Sequence, residues 1–447
     1  MKNRAKVLVY VRDYFWDIYK DMFKGLDSYE LVQITDFIGR GVEAINPIFH
    51  RQFAGPDISS HDLDEGDVIR RCRLLRNLPR SRARRMVRAM HDTLLPIIRR
   101  EPWVLIAGQT VDDYITHILA LLAARHSIPY IGFCSSYFPG YTQLSLGWTG
   151  SYAAGRTAGH AEAEKIEEMV SGDRFRQDYN ILVHYDLWVH YRRVARYWFK
   201  RVYFELLRRV RRAPNHIHYL LQPYLGQQKR LDFYPPSDAF HNDWEKKWHN
   251  SGRHVVYMPL GHTPEAGTDY MIRDVRYIDY EETILRIATR LGREFIVLVK
   301  DHFHMLGVRD PKFYTALRQV PGVVVVPPTV NSNALLSKGI DRVLVGAGSV
   351  GIEATIRGKI VFTFSDTAYW LQASGARHLR LDELEDWPGQ IMSFRPERVP
   401  VADFVKQCLG TTLAFDYMIA KNHGGRKGRQ LGLFFDQLLT WPESRLT

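Results

Sequence analysis

Short apolar runs alternate with helix-length segments in two separate stretches of this chain, and that alternation restricts the fold more than any other feature. In the first stretch Val7-Leu8-Val9-Tyr10-Val11 reads as a strand, Phe15 to Leu26 as a helix and Glu30-Leu31-Val32-Gln33-Ile34-Thr35 as a second strand. After an arginine-rich helical stretch come the strand Trp103-Val104-Leu105-Ile106-Ala107, the turn Gly108-Gln109-Thr110, a helix from Val111 to His126 and the strand Pro129-Tyr130-Ile131-Gly132-Phe133. The second stretch predicts strands at 254–258, 295–299, 323–326, 342–345 and 360–364, with helices near 280–291 and 312–319 and another after 345. Apolar strands linked through helices pair in parallel, because a parallel neighbour can be reached only by a crossover. The expected class is therefore α/β, with two largely parallel sheets. Residues 155–228 are patterned as helix, and Tyr234-Pro235-Pro236-Ser237-Asp238 reads as a linker edge. The boundaries that follow are an α/β domain at 1–150, a helical basic insertion or bridge at 151–235, a second α/β domain at 236–395 and a helical tail at 396–447 packing back on the body.

The formal charge of +12 calls for anionic surroundings. It is concentrated in two places, Arg70 to Arg100 and Arg192 to Arg212. In the second, arginines interleave with Tyr191, Val194, Tyr197, Trp198, Val202, Leu206 and Leu207, the pattern of a basic helix lying on an anionic membrane or of a packed surface helix with solvated arginines. No nucleic-acid motif accompanies the charge, so nucleic acid is not an expected partner. Neither a cleaved signal nor a membrane span is expected, since no long uncharged apolar run is present. Cys72, Cys134 and Cys408 are far apart, without the spacing of a disulfide framework or a zinc site. A reducing, cytoplasmic setting is the expectation.

Ligands of open parallel sheets bind outside the carboxyl ends of the strands. Three such ends carry polar groups here: His262 and Glu265 after the strand at 254–258, Lys300 and His302 after 295–299, and the turn Gly346-Ala347-Gly348-Ser349-Val350-Gly351 with Glu353 after 342–345. Lysine and histidine together can neutralise a phosphate. The glycines let the backbone come close, and Ser349 can cap the helix or donate a hydroxyl. Glu353 repels phosphate and suits sugar or ribose hydroxyls instead. The plain alternative is a strand–turn–helix whose Glu353 only favours the helix dipole.

In this order the segments Pro259-Leu260 with Pro264-Glu265 and Thr268-Asp269, Val299-Lys300-Asp301-His302, Asn331-Ser332, Gly348-Ser349-Val350-Gly351-Ile352-Glu353-Ala354 and Gly358-Lys359 resemble the capsule polysaccharide biosynthesis family of bacterial glycosyltransferases, which includes capsule Kdo transferases. The resemblance spans residues 250–370. It implies a GT-B-like fold, two Rossmann-like domains facing across a cleft, with a helical insertion between them. It also implies that the N-terminal domain takes the acceptor and that the C-terminal domain binds a nucleotide sugar. On this reading Lys300, His302, Gly348, Ser349, Val350, Gly351, Glu353 and His262 hold the donor, and the loop carrying Glu265 faces the transferred sugar. The family often has proline after the histidine, where this chain has Phe303.

Glycosyl transfer needs a departing phosphate stabilised and the proton of the attacking hydroxyl managed. No paired-aspartate metal motif stands out, so a metal-independent enzyme with no cofactor beyond its donor substrate is expected. Candidates for the proton are Glu265, Asp13 after the first strand, and Asp112 or Asp113 after Thr110, although aspartate at a helix start commonly caps it. The expected activity is transfer of a sugar, Kdo or a similar one, to a capsule-type polysaccharide or its lipid-linked acceptor, on the cytoplasmic side and peripheral to the membrane. Alternatives on the same fold are a nucleotide-sugar epimerase and a polyol-phosphate transferase. A non-catalytic scaffold binding an anionic polymer is the alternative of another class.

Overall fold

The computed structural model describes residues 4–12, 15–37, 41–56, 63–149, 151–152, 158–171, 239–249, 251–302, 305, 309–419 and 423–440, with isolated positions between 188 and 210. The chain is an α/β protein of two compact units. One takes residues up to Thr157 and again from Leu409, and the other holds the bulk of the chain from Ala158 to Cys408.

The first unit is built on a sheet whose strands are β1 (Ala5–Val11), β2 (Tyr29–Thr35), β3 (Glu43–Ala44), β4 (Trp103–Gln109), β5 (Tyr130–Ser135), β6 (Thr142–Leu146), β7 (Ser151–Tyr152) and β14 (Thr412–Leu413). Their order is β14-β6-β5-β4-β1-β2-β3, with β7 on β6. From β5 to β3 every pairing is parallel, while β6 runs antiparallel to β5 and β14 antiparallel to β6 at the edge. Buried on both faces from Val7 to Val11, β1 is continuously apolar there rather than alternating. Val7, Val9 and Val11 pack into one core with Phe15, Tyr19 and Met22 of the helix that follows.

The C-terminal residues belong to this same core. Leu431, Phe434, Phe435 and Leu438 of the helix Arg426–Leu439 pack beside Val7 and Val9, and Tyr29 donates a hydrogen bond to Asp436 at 2.6 Å. Burying a leucine or phenylalanine is worth roughly 1.5–3 kcal/mol each, so the return of the tail is a large share of this unit's stability. The approach is close enough that a Cβ on Gly428 would sit 2.3 Å from the carbonyl oxygen of Lys24.

In the second unit β8 (Val255–Pro259), β9 (Ile296–Lys300), β10 (Val323–Val326), β11 (Arg342–Val345), β12 (Ile360–Thr363) and β13 (Arg377–His378) form an all-parallel sheet in the order β10-β9-β8-β11-β12-β13. Counted in order of appearance this is the doubly wound sequence 3-2-1-4-5-6 of a Rossmann fold. Val256, Met258, Val297, Val299 and Leu344 line one core face with Ile284, Ile287 and Tyr314. The winding reverses between β8 and β11, and the corresponding reversal in the first unit lies between β1 and β4.

Candidate functional site

Side chains alternate across a strand, and the end of β9 shows what that does. Val299 belongs to the apolar core face, so Lys300 points to the other face and Asp301 back again. Lys300 is 8% exposed at the last position of its strand, opposite Pro259 of β8 and Val326 of β10. Burial pushes its amine down to about 8, with Asp301 and Glu353 pulling it back up. Glu353, in the helix Val350–Ile356 after β11, is pushed up to about 7 by burial, restrained by Arg357, Lys300 and the Ser349 hydroxyl. A buried amine and a half-buried carboxyl thus flank the winding reversal. Ser349 lies 3.5 Å from Glu353 Oε1 and Tyr257 donates or accepts at 3.1 Å with Ser332, whose helix is capped by Asn331. The Glu353 charge also raises the Tyr257 hydroxyl, after burial as the main cause.

The turn after β11 has a different basis from the one its glycines suggest. Gly346, Gly348 and Gly351 are absent from the glycines with left-handed φ. A Cβ on Gly351 would stand 2.2 Å from the Trp370 ring, and one on Gly346 3.0 Å from Phe364. Packing of aromatic rings therefore accounts for two of these glycines, whereas Gly348 has nothing nearer than Val345 at 3.9 Å. Ser349 occupies the N-cap position in a helical conformation, its side chain making no cap bond.

The loop after β8 carries a cis Thr263-Pro264 peptide and then Glu265, exposed at the N-cap of the short helix Ala266–Asp269. The His262 and His302 rings meet edge to face with centroids 5.6 Å apart, which brings the loops after β8 and β9 together. Beneath them Asp301 accepts the His302 amide at 2.7 Å, two bonds from Arg309 at 3.0 Å and one from the Tyr314 hydroxyl. Arg309 and Tyr314 are absent from the sequence expectations. The only signal for Asp301 was its position between Lys300 and His302, which strand alternation turns to the opposite face.

In the first unit Asp112 and Asp113 follow β4 at the winding reversal. Asp113 is fully buried, and its carboxylate caps the helix Tyr114–Arg125 in a reciprocal box with Thr116. Arg12, at the end of β1, donates to both Asp112 and Asp113 and to Gln109 at 2.9 Å. Burial raises the Asp113 carboxyl above its ordinary range against the pull of Arg12. Asp112 keeps 17% of its side chain exposed, and Arg73 donates to its carbonyl at 2.8 Å. Asp13 lies outside the described residues. His117 is fully buried, pushed down to about 3 by burial and by Arg71.

Part of the first basic cluster is spent internally. Arg88 pairs with Glu65 at 2.5 Å, Arg100 with Glu43 at 2.8 Å, and Arg71 is buried against Asp67 at 2.9 Å and the Trp148 ring. The described residues of the second cluster are helical and exposed, with Trp188 at 66%, Leu206 at 58% and Val210 at 81%. Among the described residues no helix is long and apolar enough to cross a membrane, and no group of three or more His, Cys, Asp or Glu could hold a metal.

These observations define a protein of two Rossmann-like α/β units, with a buried lysine and a half-buried glutamate at the winding reversal of the second. No protein-family model and no curated protein matches the sequence. Among solved structures the chain is similar to a β-Kdo 2,7 transferase, KpsC of Thermosulfurimonas dismutans, at 12% identity and a TM-score of 0.36 over 90% of each chain. It is also similar to the UDP-GlcNAc 2-epimerase of Methanocaldococcus jannaschii, at 10% identity and 0.27 over 89% of this chain and 95% of that one. A third likeness is to OtsA, at 7% identity and 0.33 over 98% and 99%.

Proposed function

We propose that this protein is a metal-independent glycosyltransferase that moves a sugar from a nucleotide sugar to a capsule-type polysaccharide or its lipid-linked acceptor. The observation that carries the reading is the placement of Lys300, buried at the end of β9, and Glu353, in the helix after β11, on either side of the winding reversal of a Rossmann sheet. A nucleotide sugar presents anionic phosphate beside neutral hydroxyls, and a cation next to a hydroxyl-accepting carboxyl matches both. Near neutral pH the amine is charged, so it can take the growing charge of the leaving phosphate. Glu353 accepts from ribose or sugar hydroxyls, and His262 and His302 supply further donors on the side of the Thr263-Pro264 turn. Glu265, exposed on the same loop, is the carboxylate assigned to the acceptor's hydroxyl. Asp113, occupied by its cap and by Arg12, serves the fold. Exposed apolar positions such as Trp188, Leu206 and Val210, in a sequence stretch rich in arginine, support docking on an anionic membrane at its cytoplasmic face, where a lipid-linked acceptor would be found.

The test is a panel of nucleotide sugars, offered with and without acceptor glycans, followed by mass spectrometry. Acceptor-dependent release of nucleotide, lost in folded Lys300→Ala and Glu353→Ala variants, is the expected result. Conversion of the donor sugar with no acceptor present would point to an epimerase instead. Unchanged turnover in both variants would remove the donor site proposed here.

A further inference from the structure

Arg309 is fully buried, and separate stretches of chain converge on its guanidinium. It donates to the carbonyl of Gly261 at 2.9 Å and the hydroxyl of Thr263 at 3.1 Å, both in the loop after β8. It also donates to both carboxylate oxygens of Asp301 at 3.0 Å, at the start of the loop after β9. The Tyr280 ring lies 5.2 Å from the guanidinium and the Phe313 ring 5.5 Å. Tyr280 adds a second tie, its hydroxyl accepting the Gly261 amide at 2.7 Å. Asp301 passes the restraint on, since one of its oxygens accepts the His302 amide at 2.7 Å.

An apolar side chain of similar volume would fill this space, and a buried ion pair is weak evidence for stability in itself. What an apolar group cannot do is hold a carbonyl of one loop and a carboxylate of the next at a set separation. Lysine, a point charge, lacks the planar fork to do both. We infer that Arg309 is a positioning residue that fixes the loop after β8 against the loop after β9, and through them the placement of His262 and His302. This rests on the reading of those loops as a nucleotide site, and the experiment separates the two.

Arg309→Lys and Arg309→Met are compared with wild type and with Lys427→Met, which removes another buried cation, the partner of Asp21 at 2.7 Å in the other unit. Hydrogen exchange of the peptides spanning 260–265 and 301–302 is read without ligand, and binding of UDP and CMP is read by calorimetry. In Arg309→Lys, exchange at Gly261 and His302 is expected to quicken by about tenfold or more through local opening. Nucleotide affinity should fall by about tenfold or more as the loops misplace their groups. Lys427→Met should leave both readings at their wild-type values. If the arginine variants do not fold, Tyr314→Phe, which takes one hydrogen bond from Asp301, should quicken exchange at His302. Wild-type exchange in Arg309→Lys, or faster exchange with unchanged affinity, would overturn the positioning role. A wild-type protein that binds neither nucleotide would overturn the site reading, while the exchange measurement would still decide whether Arg309 clamps the loops.

Discussion

Replacing Glu353 by glutamine should stabilise the protein at pH 8 and bring only a small fraction of that gain at pH 5. The carboxyl ordinarily titrates at 4.5 and is pushed to about 7 in the folded chain, chiefly by burial. As pH rises from 4.5 to 7 the unfolded chain gives up this proton while the folded one keeps it, so the folded state binds more protons and stability falls. Below that window both states are protonated and the cost is absent; above it the cost is complete. The displacement of the titration corresponds to roughly 3 kcal/mol if taken in full. Glu353 keeps part of its surface accessible, so solvent relieves some of this and about 1–2 kcal/mol is the expected gain at pH 8. The pull of Lys300 is already contained in the folded-state value and is not counted again. Lys300 works in the opposite direction and in another window: its penalty is complete below pH 8 and is relieved as pH rises from 8 to 10.5. Comparing pH 5 with pH 8 therefore reads mainly the carboxyl, with Lys300 only beginning to titrate at the upper end. Urea midpoints of both proteins, followed at 5, 6, 7 and 8, supply the measurement. A difference that stays flat across this range, or a wild type favoured at pH 8, would refute the burial argument. A gain would mean that the chain tolerates a destabilised carboxyl here, as sites kept for binding often do.

Gly351→Ala should lower the thermal midpoint, because its Cβ would stand within 2.7 Å of three atoms of the buried Trp370 ring. Overpacking of this kind costs about 1–3 kcal/mol, and an unchanged midpoint would show that the ring moves aside freely. Co-sedimentation with vesicles containing phosphatidylglycerol should be strong at low salt and weaken toward physiological salt, where screening acts over about 8 Å. Neutralising Arg208, Arg209, Arg211 and Arg212 should weaken it as well, and absence of binding at low salt would make the exposed apolar positions structural features only.

Strand and helix positions along both α/β units were legible from local pattern. Val7–Val11, Trp103–Ala107, Phe295–Val299 and Arg342–Val345 are apolar runs between turn signals, and each forms a strand within a residue or two of its expected bounds. The antiparallel strands β6 and β14 were not legible, since Thr142–Leu146 and Thr412–Leu413 carry too few apolar residues and find each other across most of the chain.

Local periodicity thus determined most of the segments that fold as strands and helices and, through the need for crossovers, that the sheets are largely parallel. It also put Lys300 and Glu353 at the ends where such sheets bind ligands. Only the tertiary structure decided that Gly351 exists to admit Trp370, that Arg12 claims Asp112 and Asp113, and that Arg309 ties two loops through Asp301. Each of these depends on a partner distant in sequence. Contacts of that kind follow no period along the chain and come into being only when the layers pack.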